Sequence, residues 1–165
     1  MISTADSPPA IRPFAPGDTD GVARLIVPIQ QEEFGIAITY EEQGDLRDIP
    51  AFYQRGTGGF WVAIAPGGVV GTIGLYDIGE GDAALRKMFV SPAHRGDGTA
   101  RRLLGHLVAH AQEHRLRRII LGTTDRFLAA HRFYEKNGFA EIVPKDLPGS
   151  FPRLAVDSKF YQLTL

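Results

Sequence analysis

Residues 95–102, Arg95-Gly96-Asp97-Gly98-Thr99-Ala100-Arg101-Arg102, follow the apolar run Met88-Phe89-Val90 and a Ser91-Pro92 break. Two glycines in such a turn permit backbone angles and close approaches that a Cβ blocks. A helix is expected to begin just beyond them, because Ala100, Leu103, Leu104, Leu107, Val108 and Ala111 recur at steps of three and one. The first amides of a helix have no partner inside it, and its dipole is positive at that end. The junction therefore gathers N–H groups around one point and suits an anion, each dipole interaction being worth about 0.3–1 kcal/mol. Arg95, Arg101 and Arg102 can add side-chain charge, and the space fits a pyrophosphate. Asp97 opposes them unless its carboxylate points away.

Two common phosphate motifs are excluded. The dinucleotide fingerprint needs glycine or alanine where Arg101 stands, and the mononucleotide loop needs a Gly-Lys-Ser/Thr run that is missing. What remains is R-x-x-G-x-A, from Arg95 to Ala100, after a strand ending Met88-Phe89-Val90.

The surrounding pattern supplies elements to hold this turn. Ile11–Phe14 reads as an edge strand, and a helix capped by Asp18 or Asp20 carries Val22, Leu25, Ile26 and Ile29 until Pro28 limits or kinks it. Residues 30–58 read as short helix and loop, rich in aromatics that suit either a pocket or a core. Residues 59–65 and 69–78 flank a Pro-Gly-Gly turn as a hairpin, and 83–90 completes a meander. A strand at 117–124, a helix at 128–139 closed by Asn137-Gly138, and a last strand at 159–165 follow. The order βαα-βββ-α-β-α-ββ describes one α+β domain over residues 1–165 with a mixed sheet.

Bulk properties narrow the function classes. The chain has 165 residues, a net charge of -1 and no cysteine, which removes disulfides, thiolate metal sites and a cysteine nucleophile. Met1–Ala10 has neither a basic nor an apolar leader region, and no run is long enough to span a membrane, so a cytoplasmic protein is expected. Eight Arg and Lys residues between Arg86 and Arg118 face only Asp97 and Glu113, a cluster that serves either an anion or a solvated helix face. Neither nucleic acid nor membrane is expected as a partner. His106, His110 and His114 share a helical face, but no carboxylate or cysteine joins them, and no metal is expected.

The segment Arg95–Ala100 resembles the acetyl-CoA-binding signature of GNAT-type N-acetyltransferases, R/Q-x-x-G-x-G/A, and FYEKNGF at 133–139 resembles their second signature. The match is close over 83–139 and its strand order is compatible along nearly the whole chain. The resemblance implies the GNAT fold: a mostly antiparallel sheet of six to seven strands, splayed at the parallel strands 83–90 and 117–124 and flanked by about four helices. It implies that the backbone of Met88, Phe89 and Val90 pairs with the pantetheine arm of acetyl-CoA. Arg95, Gly96, Asp97, Gly98, Thr99, Ala100 and Arg101 would hold the pyrophosphate, and Tyr134 would protonate the departing thiolate.

Two departures stand out. No carboxylate lies between Ala83 and Val90, where many members carry a glutamate base, so Glu32, Glu33, Glu41, His131 or ordered water is left for that task. Phe127 replaces an asparagine that often contacts the cofactor arm. A base matters because neutralising an amine of pKa about 10.4 at pH 7 costs about 4.6 kcal/mol. Arg86, Lys87 or Arg126 can pair with a carboxylate on an amino-acid-like or peptide acceptor, although strict strand alternation sends Arg86 and Lys87 to opposite faces. The expected activity is direct transfer of acetyl from acetyl-CoA to an amine of a small molecule, amino acid or peptide, by a monomer or homodimer. The alternative is a CoA-binding sensor or partner module with little catalysis.

Overall fold

The computed structural model describes residues 7–165; residues 1–6, part of the stretch read above as lacking a leader, lie outside them. Strand β1 (Ala10–Pro13) leads to helix α1 (Thr19–Pro28). Pro28 has no N–H to continue the ladder, and the chain passes into one π-helical turn at Ile29–Glu33, closed by the Phe34 N–H on the Ile29 carbonyl. Two single turns follow, α2 (Gly44–Arg47) and α3 (Ile49–Phe52). The expected meander is β2 (Gly59–Ala65), β3 (Gly68–Gly79) and β4 (Asp82–Val90). Helix α4 (Thr99–Glu113), β5 (Arg118–Thr123), α5 (Leu128–Lys136), the short β6 (Ala140–Ile142) and β7 (Lys159–Thr164) complete the order.

The sheet has seven strands in the order β1-β2-β3-β4-β5-β7-β6, antiparallel except where β4 meets β5. On one face Leu103, Leu107 and Ala111 of α4 and Tyr134 of α5 pack onto Leu85, Ile119 and Leu121. The opposite face carries Val22 and Ile26 of α1 with Leu46, Ile49 and Tyr53, and beside them Ala84 and Ile120. Residues 83, 85, 119 and 121 thus look toward α4, and 84 and 120 look toward the α1–α3 side, as period-two alternation requires.

The parallel pairing is brief. It joins Asp82, Ala83 and Ala84 to Arg118, Ile119 and Ile120 and then stops, so the two strands part as the splayed sheet was expected to do. A buried ion pair clamps the closed end: Arg118 donates to both oxygens of Asp82 at 3.1 and 3.2 Å, and Arg117 adds a contact at 3.4 Å. Asp82 is only 2% exposed, so its carboxylate loses compensation when Arg118 is removed, whereas both arginines reach solvent. Arg118→Ala is therefore expected to lower unfolding free energy more than Asp82→Ala in urea titration, and the double change to cost less than the two single losses added together.

Candidate active site

The turn before α4 has the geometry its glycines predict. Gly96 and Gly98 sit at φ +86° and +90°, and an added Cβ at either would meet open space, so their requirement is conformational. Asp97 does not face outward alone. Its carboxylate accepts from the Thr99 N–H at 3.0 Å and contacts His94 Nδ1 at 2.8 Å, which takes one of the helix's free amides. The Thr99 hydroxyl is buried without a hydrogen-bond partner among the described residues. Ala100 and Arg101 open the helix; Arg101 borders a shallow depression between α4 and the chain's end, and Gly96 through Arg101 do not line the main cavity.

Arg95 is already engaged. Its guanidinium forks onto both oxygens of Glu33, one at 2.7 Å, and its Nε donates to the Val90 carbonyl at 3.1 Å. This ties the π-helical turn to the end of β4 across the cavity mouth, so a phosphate would have to draw the arginine from Glu33. The same pair holds the Glu33 carboxyl below the ordinary range, chiefly through the arginine's hydrogen bond. Beside it, Phe127 packs against Phe34 at a tilt of 33° with centroids 4.4 Å apart, and the Phe34 centroid lies 6.3 Å from that of Phe89. The position where an asparagine was missing is thus part of an apolar contact that crosses three segments.

A cavity of about 600 Å³ fills the gap between the parted strands. Met88, Phe89, Val90, Arg95 and Tyr134 line it, together with Leu121–Thr124 on the other strand. Beyond Ala84 the β4 edge facing β5 has no strand partner. Tyr134 enters from the α4 side, among Phe133, Phe139 and Tyr161, and its hydroxyl has no hydrogen bond to the described residues. Burial alone pushes its phenol up to about 12.

The charges are not where strict alternation puts them. Thr72 pairs with Phe89 and Gly74 with Arg86, so Ile73 opposes both Lys87 and Met88 in a β-bulge, with Lys87 at φ +54°. The bulge cancels the alternation, and Lys87 reaches the α1–α3 side, the side Ala84 also faces. The Thr72 hydroxyl fixes the bulge by donating to the Lys87 carbonyl at 2.7 Å. Lys87 Nζ then donates to Gln43 Oε1 at 2.6 Å and lies 3.5 Å from Asp45, which also accepts from the Tyr53 hydroxyl at 2.6 Å. Burial lowers the Lys87 pKa despite Asp45, and it raises that of Tyr53 well above the ordinary range. Arg86, by contrast, lies over the Phe52 ring at 5.8 Å and has no ion-pair partner among the described residues. Both Arg86 and Lys87 border the cavity, as does the exposed Arg126.

The profile of the Acetyltransferase (GNAT) family matches residues 24–139. The chain belongs to the GNAT acetyltransferase family. A GNAT acetyltransferase crystal structure from Staphylococcus aureus Mu50 superposes with a TM-score of 0.89 at 38% identity, covering 94% of this chain and 98% of that one. The GNAT chain is also 34% identical over 124 residues to the N-acetylaspartate synthetase of Danio rerio, covering 72% of itself and 44% of that protein. It therefore spans less than half the length of that relative. An uncharacterized N-acetyltransferase, YjgM, of Escherichia coli is 29% identical over 151 residues, 86% of this GNAT chain and 88% of that one.

His131, a candidate base, is buried and bound through Nε2 to the Thr124 carbonyl at 2.7 Å, away from the cavity lining. His110 contacts the Thr57 and Gly58 carbonyls and stacks on His114 at 4.1 Å, and among the described residues no group of three or more His, Cys, Asp or Glu could hold a metal ion. No described helix is long and apolar enough to cross a membrane. Asp157, which sequence reasoning did not single out, also lines the cavity, and no motif surrounds it. In alkaline difference spectra between the protein and Tyr134→Phe, the missing tyrosinate should be absent at pH 10 and titrate near the value of about 12 that burial imposes.

Proposed function

We propose that this protein is an acetyl-CoA-dependent N-acetyltransferase whose acceptor is the amine of a small molecule bearing a carboxylate, such as an amino acid. The observation that carries the reading is a cavity reached from both sheet faces, with a buried phenol on one side and a cation without an ionic partner, Arg86, on the other. The glycine turn at residues 96–98 and the open β4 edge suit a diphosphate and an amide-bearing arm. The Danio rerio relative, by its name, makes an N-acetylated acidic amino acid, which supports the same acceptor class here.

In this reading the residues divide the work. The amides of Gly96 through Arg101 that Asp97 leaves free receive the pyrophosphate and the Met88–Val90 backbone aligns the arm, which brings the thioester to the cavity. Arg86 takes the acceptor's carboxylate, and Arg126 stands at the rim. The amine nitrogen attacks the thioester carbonyl carbon, the C–S bond breaks, and the Tyr134 O–H is the donor to the leaving sulfur. A phenol at about 12 facing a thiol near 8.5 would give its proton uphill by about 4.8 kcal/mol if the sulfur were in water. The sulfur departs into the same dry cavity, where its thiolate is also disfavoured, so the gap narrows. Tyr134 thus stays protonated at neutral pH and donates only as negative charge develops on sulfur.

A panel of amines with detection of released thiol tests this. L-Aspartate and L-glutamate should outperform neutral amines, and Arg86→Ala should raise KM for the acidic amino acids at least tenfold with no comparable rise in KM for neutral amines. Equal losses for both classes would remove the carboxylate role. Tyr134→Phe should lower kcat by about 10²–10⁴ with acetyl-CoA affinity intact. Gly98→Glu should weaken acetyl-CoA binding by calorimetry more than tenfold in a folded protein, since it sets a charged side chain at a φ of +90° beside the phosphate. Binding without turnover of any amine would favour a CoA-binding sensor.

A further inference from the structure

We infer that Asp157 is the base of this site, receiving the acceptor's ammonium group and taking its first proton; this rests on the acetyltransferase reading above. Asp157 lies just before β7 and lines the same cavity as Tyr134 and Arg86, although it is only 8% exposed. Its Oδ2 accepts from the Leu154 N–H at 2.9 Å, and its own N–H donates to the Leu154 carbonyl at 3.0 Å, which fixes the side chain. Oδ1 has no partner among the described residues, yet it is not sealed away as a buried orphan. A fixed carboxylate with one free oxygen facing a cavity is a receptor for a cationic donor.

The opposite strand is shaped around this group. A Cβ on Gly122 of β5 would stand 2.6 Å from Oδ2 and 2.7 Å from Cγ of Asp157. Gly122 has no positive φ, so its lack of a side chain answers to the carboxylate's place and to nothing in the backbone. Residue 122 continues the alternation of Ile120, which puts Asp157 on the α1–α3 side, where Arg86 also lies. Arg86 and Asp157 form no ion pair of 4 Å or less, so one amino acid can offer its carboxylate to the first and its ammonium to the second.

The charged groups around Asp157 are Arg86 from β4 and Arg153 from its own loop. Elsewhere in the cavity Lys87 is occupied by Asp45 and Glu33 by Arg95, and Arg126 is at the rim. Burial raises the Asp157 carboxyl above its ordinary value, while the Leu154 N–H and the two arginines restrain it. The step balances as follows. Asp157 removes one proton from R–NH3⁺, the neutral nitrogen forms the C–N bond, and the sulfur leaves with the proton from Tyr134. The second nitrogen proton returns to the phenolate through water, and the proton on Asp157 passes to solvent, leaving amide, free thiol and one net proton.

The test uses the full chain with L-aspartate and L-glutamate as acceptors. Asp157→Asn should lower kcat at least a hundredfold at pH 7 and move the acid limb from its wild-type position up to the amine's own pKa, the remaining rate climbing about tenfold per pH unit below it. Acetyl-CoA affinity by calorimetry should not change. Should Asp157→Asn fail to fold, Gly122→Ala keeps the carboxylate but pushes it from its seat, and it should lower kcat and displace the acid limb. Unchanged kcat and pH profile in the folded variant would overturn the inference, as would a raised KM with kcat intact, which marks an anchor and not a base. Wild-type protein that binds acetyl-CoA but acetylates neither amino acid would instead bring down the enzyme reading itself.

Discussion

Strands β4 and β5 must be held together at one end and kept apart at the other, and the site depends on that. Adjacent parallel strands ordinarily zip, because an unmade backbone hydrogen bond in a dry setting costs about 1–3 kcal/mol. Here Asp82 and Arg118 lock the first three pairs. Further along, the bulge at Lys87 and Met88 bends β4 and increases its twist. The resulting gap is lined by unspent backbone groups and admits side chains from both faces of the sheet.

A left-handed lysine in a strand is strained by about 1–2 kcal/mol and persists only when its surroundings determine it. Thr72 holds its carbonyl, and a buried polar group holds its ammonium. In that group Gln30 and Gln43 exchange amide hydrogen bonds at 2.8 and 3.0 Å, Gln43 accepts from Lys87, and Asp45 accepts from Tyr53. The acidic loop before β2 therefore has a structural partner in β4. Its effect on the site is selective: it spends the charge of Lys87 and leaves that of Arg86, one residue earlier, available to a ligand.

Much of this was legible because it is local. The steps of one and three along Leu103, Leu104 and Leu107 fix α4, the Pro-Gly-Gly turn fixes a hairpin, and Gly96 and Gly98 mark the positive φ values found there. Tyr134 was placed by a short motif on one helix. What escaped depends on distance in sequence. The bulge arises from the fit of Ile73 against two residues of β4, so alternation misassigned Lys87 to the face opposite Arg86. Nothing near Arg95 announces its pairing with Glu33, which is 62 residues earlier. Asp157 and Gly122 explain each other only in space.

Burial acts on the proposed acid and the proposed base in the same direction, and that suits them to opposite tasks. For Tyr134, an apolar nest of Phe133, Phe139 and Tyr161 without a nearby cation leaves desolvation unopposed, and the phenol keeps its proton through neutral pH. For Asp157, desolvation alone would carry the carboxyl toward a neutral resting state, useless for removing a proton. The Leu154 N–H, Arg86 and Arg153 oppose it, and the group is left more basic than a carboxylate in water. Each arginine is then tied to that balance, and an acceptor carboxylate that pairs with Arg86 weakens its hold on Asp157. In the proposed mechanism the group would become a stronger base when the acceptor is bound and a weaker one when the site is empty. An acceptor without a carboxylate would leave Arg86 acting on Asp157 alone, so the contact proposed to select the substrate would also set the base to work.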